Sequence, residues 1–286
     1  MNLFLKRGDK EMQYNYEFEY FKKSADYILS KIDFKPEIAL ILGSCLGTLA
    51  EEIQDPIVID YKDIPNFLTT TVESHAGKLI LGELSGKKVV CMSGRFHYYE
   101  GYDFEQLVTP IRVFHLLGVE TVILTNAAGA VNTSYKPGEI MIIKDHIKLM
   151  GASPVRGKNI EEFGPRFFDM TNTYTEEYRQ LAKKVSKRLG MKINEGVYFY
   201  TAGPQFESPS EIKAIRTLGG DVVGMSTVTE VITAAHCGMK VLGLSLVTNM
   251  GAGVLDEAVT TEEVDETAEK AAQDFKSLLR EIIREM

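Results

Sequence analysis

Six short runs of the chain are apolar almost throughout, and they constrain its fold more than any other feature. They are Ile38–Leu42, Val89–Met92, Thr121–Leu124, Met141–Ile143, Val197–Tyr200 and Val241–Val247. Strands buried on both faces have this pattern, whereas half-exposed strands alternate apolar and polar residues. Segments with helical periodicity separate the runs. We therefore predict an α/β fold with a central mixed, largely parallel β-sheet flanked by helices.

The predicted helices are Phe104–Leu117, Thr175–Leu189, Ser210–Leu218, Thr227–Cys237 and Thr261–Ile283. Two of them follow clear start signals, because Ser208 and Thr260 each offer a capping oxygen ahead of acidic residues. The stretch Met150–Arg166 has no period and predicts a long irregular loop, which is usually functional. No repeat or linker divides the chain, so we expect one domain over residues 1–286, with 1–20 as a poorly ordered or peripheral extension.

Composition excludes several classes of partner. The 286 residues carry a formal net charge of −8, which argues against nucleic acid or an anionic membrane as the main partner. Cys45, Cys91 and Cys237 are widely spaced and form no CxxC pair, a pattern typical of reduced thiols in a cytosolic protein. No HExxH motif or Cys/His cluster indicates a metal site, and no run approaches the roughly 18 apolar residues of a membrane span. We expect a cytoplasmic protein.

Glycine-rich and polar motifs follow the predicted strands, at the edge where open α/β sheets bind ligands. The turn Gly43–Gly47 offers backbone N–H groups and the Ser44 hydroxyl to an anion, but its spacing matches neither a dinucleotide nor a nucleoside triphosphate loop. In Ser93–Gly101, the planar guanidinium of Arg95 can donate hydrogen bonds to phosphate or carboxylate, and His97 can donate a hydrogen bond or a proton. Upstream, His75 lies beside another glycine. Each motif alone is also compatible with an ordinary turn.

Four further motifs leave the same choice open. Small residues in Thr125–Ala130 allow close approach of the backbone to a ligand, or tight packing against a helix. In Thr201–Glu207, Phe206 can stack on a flat ring of a ligand, and Glu207 can accept hydrogen bonds from N–H groups of that ring. The remaining two are Val223–Thr227 and Ser245–Asn249, of which the second brings an amide to the carboxyl end of a strand.

Taken together and in this order, these segments resemble the trimeric purine nucleoside phosphorylase family, which prefers 6-oxopurines. GRFHYYEGY, TNAAGA, AGPQFES, VGMSTVTE and SLVTN occur in the family's order, and the resemblance runs from about Ile38 to the C-terminal helix. It implies phosphorolysis of purine ribonucleosides and deoxyribonucleosides, such as inosine and guanosine, to the free base and (deoxy)ribose 1-phosphate in purine salvage. Inorganic phosphate would be a co-substrate and no cofactor would be needed.

The resemblance also assigns roles to individual residues. Phosphate would be held by Ser44, His75, Arg95, His97, the backbone of Ala127 and Ser226. Tyr99 and Met225 would line the ribose, together with Phe167 from a neighbouring subunit of a homotrimer. Phe206, Glu207, Val223 and Asn249 would hold the purine, and His97, Glu207 and Asn249 would be catalytic.

Two positions depart from the family pattern, and one of them leaves an alternative function open. Thr261 stands where the family often has a His that contacts the ribose 5′-hydroxyl, and Cys45 stands where a smaller residue is usual. Thr261 leaves room for a 5′ substituent, as in a methylthioadenosine phosphorylase, but those enzymes generally have Asp in place of Asn249. A serine hydrolase using Ser44 with a histidine lacks the nucleophile-elbow spacing. A non-catalytic nucleoside-binding module would need no phosphate site.

Overall fold

A computed structural model of the protein describes residues 16–43, 46–72 and 76–286. The strands of this part are β1 (Ile38–Leu42), β2 (Gln54–Asp60), β3 (Lys78–Leu84), β4 (Lys87–Ser93), β5 (Thr121–Ala130), β6 (Ile140–Ile147), β7 (Ile193–Tyr200), β8 (Val222–Gly224) and β9 (Lys240–Met250). Its α-helices are α1 (Phe18–Leu29), α2 (Thr109–Leu116), α3 (Glu176–Arg188), α4 (Pro209–Thr217), α5 (Val228–His236) and α6 (Thr261–Glu285). Short 3-10 helices cover Gly47–Glu52, Tyr61–Asp63, Tyr98–Glu100 and Glu161–Phe163.

The strands form one mixed sheet in the order β2-β3-β4-β1-β5-β8-β7-β6-β9, and β9 pairs back onto β5. Strands β5, β8, β7, β6 and β9 therefore close into a ring. In the described residues, five of the nine strand pairs are parallel: β1–β4, β1–β5, β5–β9, β6–β7 and β7–β8. The predicted mixed α/β fold is confirmed, although the parallel pairs are only a narrow majority.

Strand β1 shows why the apolar runs form the centre of the sheet. All five of its residues are buried. Ala39 and Ile41 belong to the core that β1 shares with α1, α2 and α5. Ile38, Leu40 and Leu42 belong to the opposite core, which includes residues of α3 and α6. Because successive side chains of a strand point to opposite faces, a strand covered on both sides must be apolar at every position.

Several elements differ from the prediction. The helix predicted from Phe104 begins at Thr109, because Pro110 has no N–H to donate and fits only in the first turn of a helix. The prediction omitted α1, β2, β3 and β8. The outermost strand β2 contains Pro56 and is largely exposed, a composition typical of sheet edges.

Two segments outside the sheet were singled out from the sequence, the long loop and the N-terminal extension. The long loop Met150–Arg166 has one 3-10 turn, Glu161–Phe163, as its only regular structure. Of the proposed N-terminal extension, residues 1–15 lie outside the described part, while Tyr16, Phe18 and Tyr20 pack against the core. No helix in the described part of the chain is both long and apolar enough to cross a membrane.

Candidate active site

A cavity that is open to solvent lies at the carboxyl ends of the parallel strands β4, β1, β5 and β9. Parallel strands end at the same edge of a sheet, so the motifs that follow them converge there. Ten of the residues predicted for the site line this cavity: Arg95, His97, Tyr99, Ala127, Phe206, Glu207, Val223, Met225, Ser226 and Asn249. The topology therefore brings together motifs that are more than 100 residues apart in the chain.

Three predicted residues are not among those that line it. Ser44 and His75 lie outside the described residues. Phe167 does not contact the cavity of its own chain, and its side chain is 87% exposed. Thr261, the position that departs from the family pattern, does line the cavity, with Val259 and Val264 beside it.

Arg95 is fixed at one end of the cavity although its side chain is almost completely buried, with 1% exposed. Its Nη1 donates to Ser226 Oγ (2.9 Å) and Thr227 Oγ1 (2.8 Å), and its Nη2 donates to the Ile41 carbonyl oxygen (3.1 Å). Its Nε lies 3.5 Å from Glu230 Oε1, and Glu230 is also buried. A buried charge is tolerated when it is paired and hydrogen-bonded, so this network holds a guanidinium in place before any ligand arrives.

His97 is oriented by Glu100. Glu100 Oε1 accepts from the His97 backbone N–H (2.8 Å) and lies 2.9 Å from Nδ1. Burial opposes ionisation of Glu100, but hydrogen bonds from His97 and Thr71 outweigh it and lower its pKa to about 2. An ionised carboxylate can only accept, so it fixes a hydrogen on Nδ1 and leaves the Nε2 side of the ring to face other groups.

The middle of the cavity wall combines Tyr99 with Met225. The Tyr99 ring stacks on His97, with centroids 4.6 Å apart and planes at 13°. Gly203 lies between Tyr99 and Met225 with a φ of +64°, and a Cβ there would be 2.3 Å from Met225 Sδ and 3.2 Å from the Tyr99 ring. Only glycine adopts this conformation at low cost and leaves this space. Gly203 thus permits the close packing of the two side chains.

Glu207 and Asn249 contribute two further polar side chains to the cavity wall, and a neighbouring hydroxyl orients each. Thr201 Oγ1 donates to Glu207 Oε1 (2.7 Å), and Thr248 Oγ1 donates to Asn249 Oδ1 (3.0 Å). Asn249 Nδ2 donates to the Met250 carbonyl oxygen (3.0 Å). These contacts fix the orientation of the amide and leave the second Nδ2 hydrogen available as a donor to a ligand. Phe206, 45% exposed, forms an apolar wall beside them.

Sequence reasoning missed part of the site. Asn126, Thr248, Val259 and Val264 line the cavity, and Thr227 and Glu230 hold Arg95. Asn126, Thr227, Glu230 and Thr248 stand inside motifs that the sequence analysis singled out, so the motifs carried a signal for them. Val259 precedes the C-terminal helix α6, and Val264 lies in the first turn of that helix. Neither belongs to a motif that the sequence analysis identified.

His115, His146 and His236 are not among the residues that line the cavity. Burial lowers the pKa of all three, and His236 Nε2 lies 3.3 Å from Asn159 Oδ1. Within residues 16–43, 46–72 and 76–286, no group of three or more His, Cys, Asp and Glu side chains is arranged to hold a metal ion.

The comparisons with known proteins agree on one family. The family described as "Phosphorylase superfamily" matches residues 37–284. Purine nucleoside phosphorylase 1 of Geobacillus stearothermophilus is 52% identical over 265 residues, covering 93% of this chain and 97% of the relative. The Rattus norvegicus purine nucleoside phosphorylase is 44% identical, covering 95% and 98%. A crystal structure of the Schistosoma mansoni enzyme in complex with inosine is 42% identical, with a TM-score of 0.90 and coverage of 94% and 97%. The chain therefore belongs to the purine nucleoside phosphorylase family.

Proposed function

We propose that this enzyme cleaves purine nucleosides with a 6-oxo base, such as inosine and guanosine, using inorganic phosphate as co-substrate and no cofactor. The products are the free base and ribose 1-phosphate or deoxyribose 1-phosphate. One observation carries the proposal: a single cavity holds a buried, hydrogen-bonded Arg95 together with the Glu207 and Asn249 pair. The inosine bound to the Schistosoma mansoni relative is a substrate of the proposed kind.

Phosphate is proposed to bind against Arg95, Ser226 and His97, all of which line the cavity. The backbone of Ala127 is proposed to complete this part of the site, with Ser44 and His75 in the same role from the sequence resemblance. A guanidinium and neutral donors suit a phosphate dianion, because charge-assisted hydrogen bonds are about twice as strong as neutral ones. Binding here places the nucleophile beside Tyr99 and Met225, where we propose that the ribose lies.

The chemistry follows from the charges that develop as the glycosidic bond breaks. The sugar gains positive charge, which phosphate stabilises before it attacks the anomeric carbon. The departing purine gains negative charge, and the Asn249 amide donates to it at O6 or N7 while Glu207 accepts from N1–H. Donors fixed beforehand stabilise the transition state without reorganisation, and holding both reactants side by side removes much of the entropic barrier.

We also propose that the active form is a cytoplasmic homotrimer in which Phe167 completes the ribose pocket of a neighbouring subunit. Phe167 is 87% exposed, and Leu149 and Met150 at the start of the same loop are 66% and 52% exposed. Covering Phe167 with a second subunit would remove its apolar surface from water. The free, buried thiols Cys91 and Cys237 are consistent with a reducing compartment.

A 5′-methylthioadenosine phosphorylase is the alternative, and the first turn of α6 is the observation that favours it. Thr261, Val259 and Val264 form a small, largely apolar part of the cavity wall that would accept a 5′ substituent. The Asn249 amide opposes this alternative, because it presents an N–H to the base, and a 6-amino group needs an acceptor.

The test is to incubate the enzyme with inosine in phosphate buffer and in a phosphate-free buffer of equal ionic strength, and to identify the sugar product. We expect hypoxanthine and ribose 1-phosphate only where phosphate is present. Equal rates without phosphate, with free ribose as product, would replace phosphorolysis by hydrolysis. Running 5′-methylthioadenosine in parallel distinguishes the alternative substrate.

A further inference from the structure

We propose that Thr227 is a positioning residue that compels the Ser226 hydroxyl to donate its hydrogen bond toward an anion in the cavity. The inference rests on the proposed function, in which that anion is phosphate. Thr227 itself is completely buried, whereas Ser226 lines the cavity. Thr227 therefore acts through Ser226 and Arg95 rather than by touching the ligand.

The backbone at Thr227 is strained. Its φ is +72° and its ψ is −49°, and the Val228 N–H donates to the Ser226 carbonyl oxygen at 2.7 Å. This is a γ-turn with a positive central φ, a rare and costly conformation, and a β-branched residue makes it costlier. Such strain persists only where the surroundings over-determine it, and it occurs preferentially at functional sites. The turn places the Thr227 hydroxyl among polar groups immediately before helix α5.

The hydrogen bonds of the Thr227 hydroxyl fix the direction of its own hydrogen. Oγ1 accepts from Arg95 Nη1 at 2.8 Å and from Asn126 Nδ2 at 2.9 Å. A hydroxyl has two acceptor sites and one hydrogen to donate. Both acceptor sites are engaged, so the hydrogen must go to another atom. Ser226 Oγ lies 3.2 Å away, and either hydroxyl of this pair could be the donor. Because both acceptor sites of Thr227 are engaged, we assign the donor role to Thr227.

Counting donors and acceptor sites in the same way determines the hydrogen-bond role of the Ser226 hydroxyl. Its Oγ accepts from Arg95 Nη1 at 2.9 Å and from the Thr227 hydroxyl. With both acceptor sites engaged, Ser226 is left with its own O–H as a donor. The Tyr198 hydroxyl, which accepts from the Ser226 backbone N–H at 3.3 Å, is the protein acceptor beside it, and an anion in the cavity would take its place. A phosphate oxygen is a pure acceptor, whereas an N–H group of a ligand would find no site there. The network thus selects an anion and orients a neutral donor before the anion binds.

The experiment compares Thr227→Val with Thr227→Ser. Valine keeps the shape and β-branching of threonine and removes the hydroxyl, while serine restores the hydroxyl. We expect Thr227→Val to raise KM for phosphate by about 10- to 100-fold, the effect of losing a hydrogen bond to a charged group. KM for inosine should change by less than about 3-fold, and Thr227→Ser should recover most of the phosphate affinity.

Thr233→Val is the matched control. Thr233 is a buried threonine inside helix α5, which follows Thr227, and its hydroxyl donates to the Thr229 carbonyl oxygen at 2.7 Å. Its loss should lower the thermal midpoint without changing KM for phosphate. Calorimetric titration of each protein with inorganic phosphate alone should show the same ranking. This readout does not depend on turnover.

Two outcomes would overturn the inference, and neither is confused with failure of the proposed function. If the unmodified enzyme is phosphate-dependent and Thr227→Val binds phosphate equally well, Thr227 is merely structural. If Thr227→Val does not fold, Asn126→Leu removes one of the two donors to Oγ1 and should raise KM for phosphate severalfold. An unchanged value would contradict the proposal. The proposed function itself fails only if the unmodified enzyme shows no phosphate-dependent cleavage.

Discussion

Single hydrogen bonds determine which atoms of Asn249 face the cavity. An asparagine amide can present either an oxygen or an N–H group, and rotating it exchanges the two. Here the Thr248 hydroxyl donates to Asn249 Oδ1, and the Met250 carbonyl oxygen accepts from Nδ2. Both contacts favour the same orientation. The amide therefore presents an N–H, which matches O6 or N7 of a 6-oxopurine.

We expect Asn249→Asp to move the specificity of the enzyme toward 6-aminopurines. A carboxylate only accepts hydrogen bonds, and it opposes the negative charge that develops on the departing 6-oxopurine. Unpaired polar groups in a site built for hydrogen bonding allow discrimination of up to about 10⁴-fold, so the parent should strongly prefer inosine to adenosine. The measurement is kcat/KM for both nucleosides in parent and variant.

Asn66→Asp provides a control for the amide-to-carboxylate change itself, because the Asn66 amide donates to the Tyr20 carbonyl oxygen outside the cavity. It should leave the inosine-to-adenosine ratio unaltered. A parent enzyme that prefers adenosine, or an unaltered ratio in Asn249→Asp, would show that the role assigned to Asn249 is wrong.

At the scale of elements, Glu100 joins two separate segments of chain around the site. One carboxylate oxygen accepts from His97, and the other accepts from the Thr71 backbone N–H (2.6 Å) and hydroxyl (2.9 Å). The turn Tyr98–Glu100 is thereby tied to the segment that follows Tyr61–Asp63. Because the segments are connected through an ionised group, their attachment depends on pH.

We expect Glu100→Gln to lower the free energy of unfolding at about pH 7 and to lower it less under acid conditions. The folded-state pKa of Glu100 is about 2, below the ordinary value of 4.5. Its stabilising contribution is therefore fully present above pH 4.5 and is lost as the pH falls toward 2. Urea unfolding of parent and variant at about pH 7 and pH 3 measures the change.

Glu105→Gln is the comparison for Glu100→Gln, since Glu105 is an exposed carboxylate a few residues further along the chain. It should have little effect at either pH. If Glu100→Gln lowers the free energy of unfolding by the same amount at both pH values, the ionised state of Glu100 does not stabilise the fold.

At the scale of the whole molecule, one chain leaves a large apolar side chain without cover. Phe167 is 87% exposed at the end of a long loop, although its own cavity already contains Tyr99, Met225 and Phe206. Placing that ring against the cavity of a second copy would bury it and close the ribose part of the site. The proposed trimer follows from this incomplete burial together with the family resemblance.

We expect sedimentation at micromolar concentration to show a trimer, and Phe167→Ala to raise KM for inosine by about 10-fold or more through the loss of a buried aromatic contact. Leu218→Ala, which shortens another exposed apolar side chain (54% exposed), should leave KM for inosine unchanged.

Mixing Phe167→Ala with Asn249→Ala should restore activity, because hybrid trimers contain some sites in which both Phe167 and Asn249 are present. A fully active monomer would refute the shared site.

Local patterns in the sequence determined the central strands and the marked helix starts. β1 occupies the predicted residues Ile38–Leu42, because a strand covered on both faces must be apolar throughout. The caps predicted from sequence are confirmed: the Ser208 and Thr260 side chains accept from the Glu211 and Glu263 backbone N–H groups. Ten of the residues that the family motifs single out line the cavity.

Only the tertiary structure decided the rest, because it depends on contacts between distant parts of the chain. Strand β2 at the edge of the sheet and its neighbour β3 have only short apolar runs flanked by charged residues or glycine, so their residues alone did not identify them. Val264 reaches the cavity because α6 packs across the sheet beside β9. The directions of the hydroxyl hydrogens at Thr227 and Ser226 follow from donors on Arg95 and Asn126, about 100 or more residues away, since a hydroxyl donates where its neighbours leave no acceptor site open.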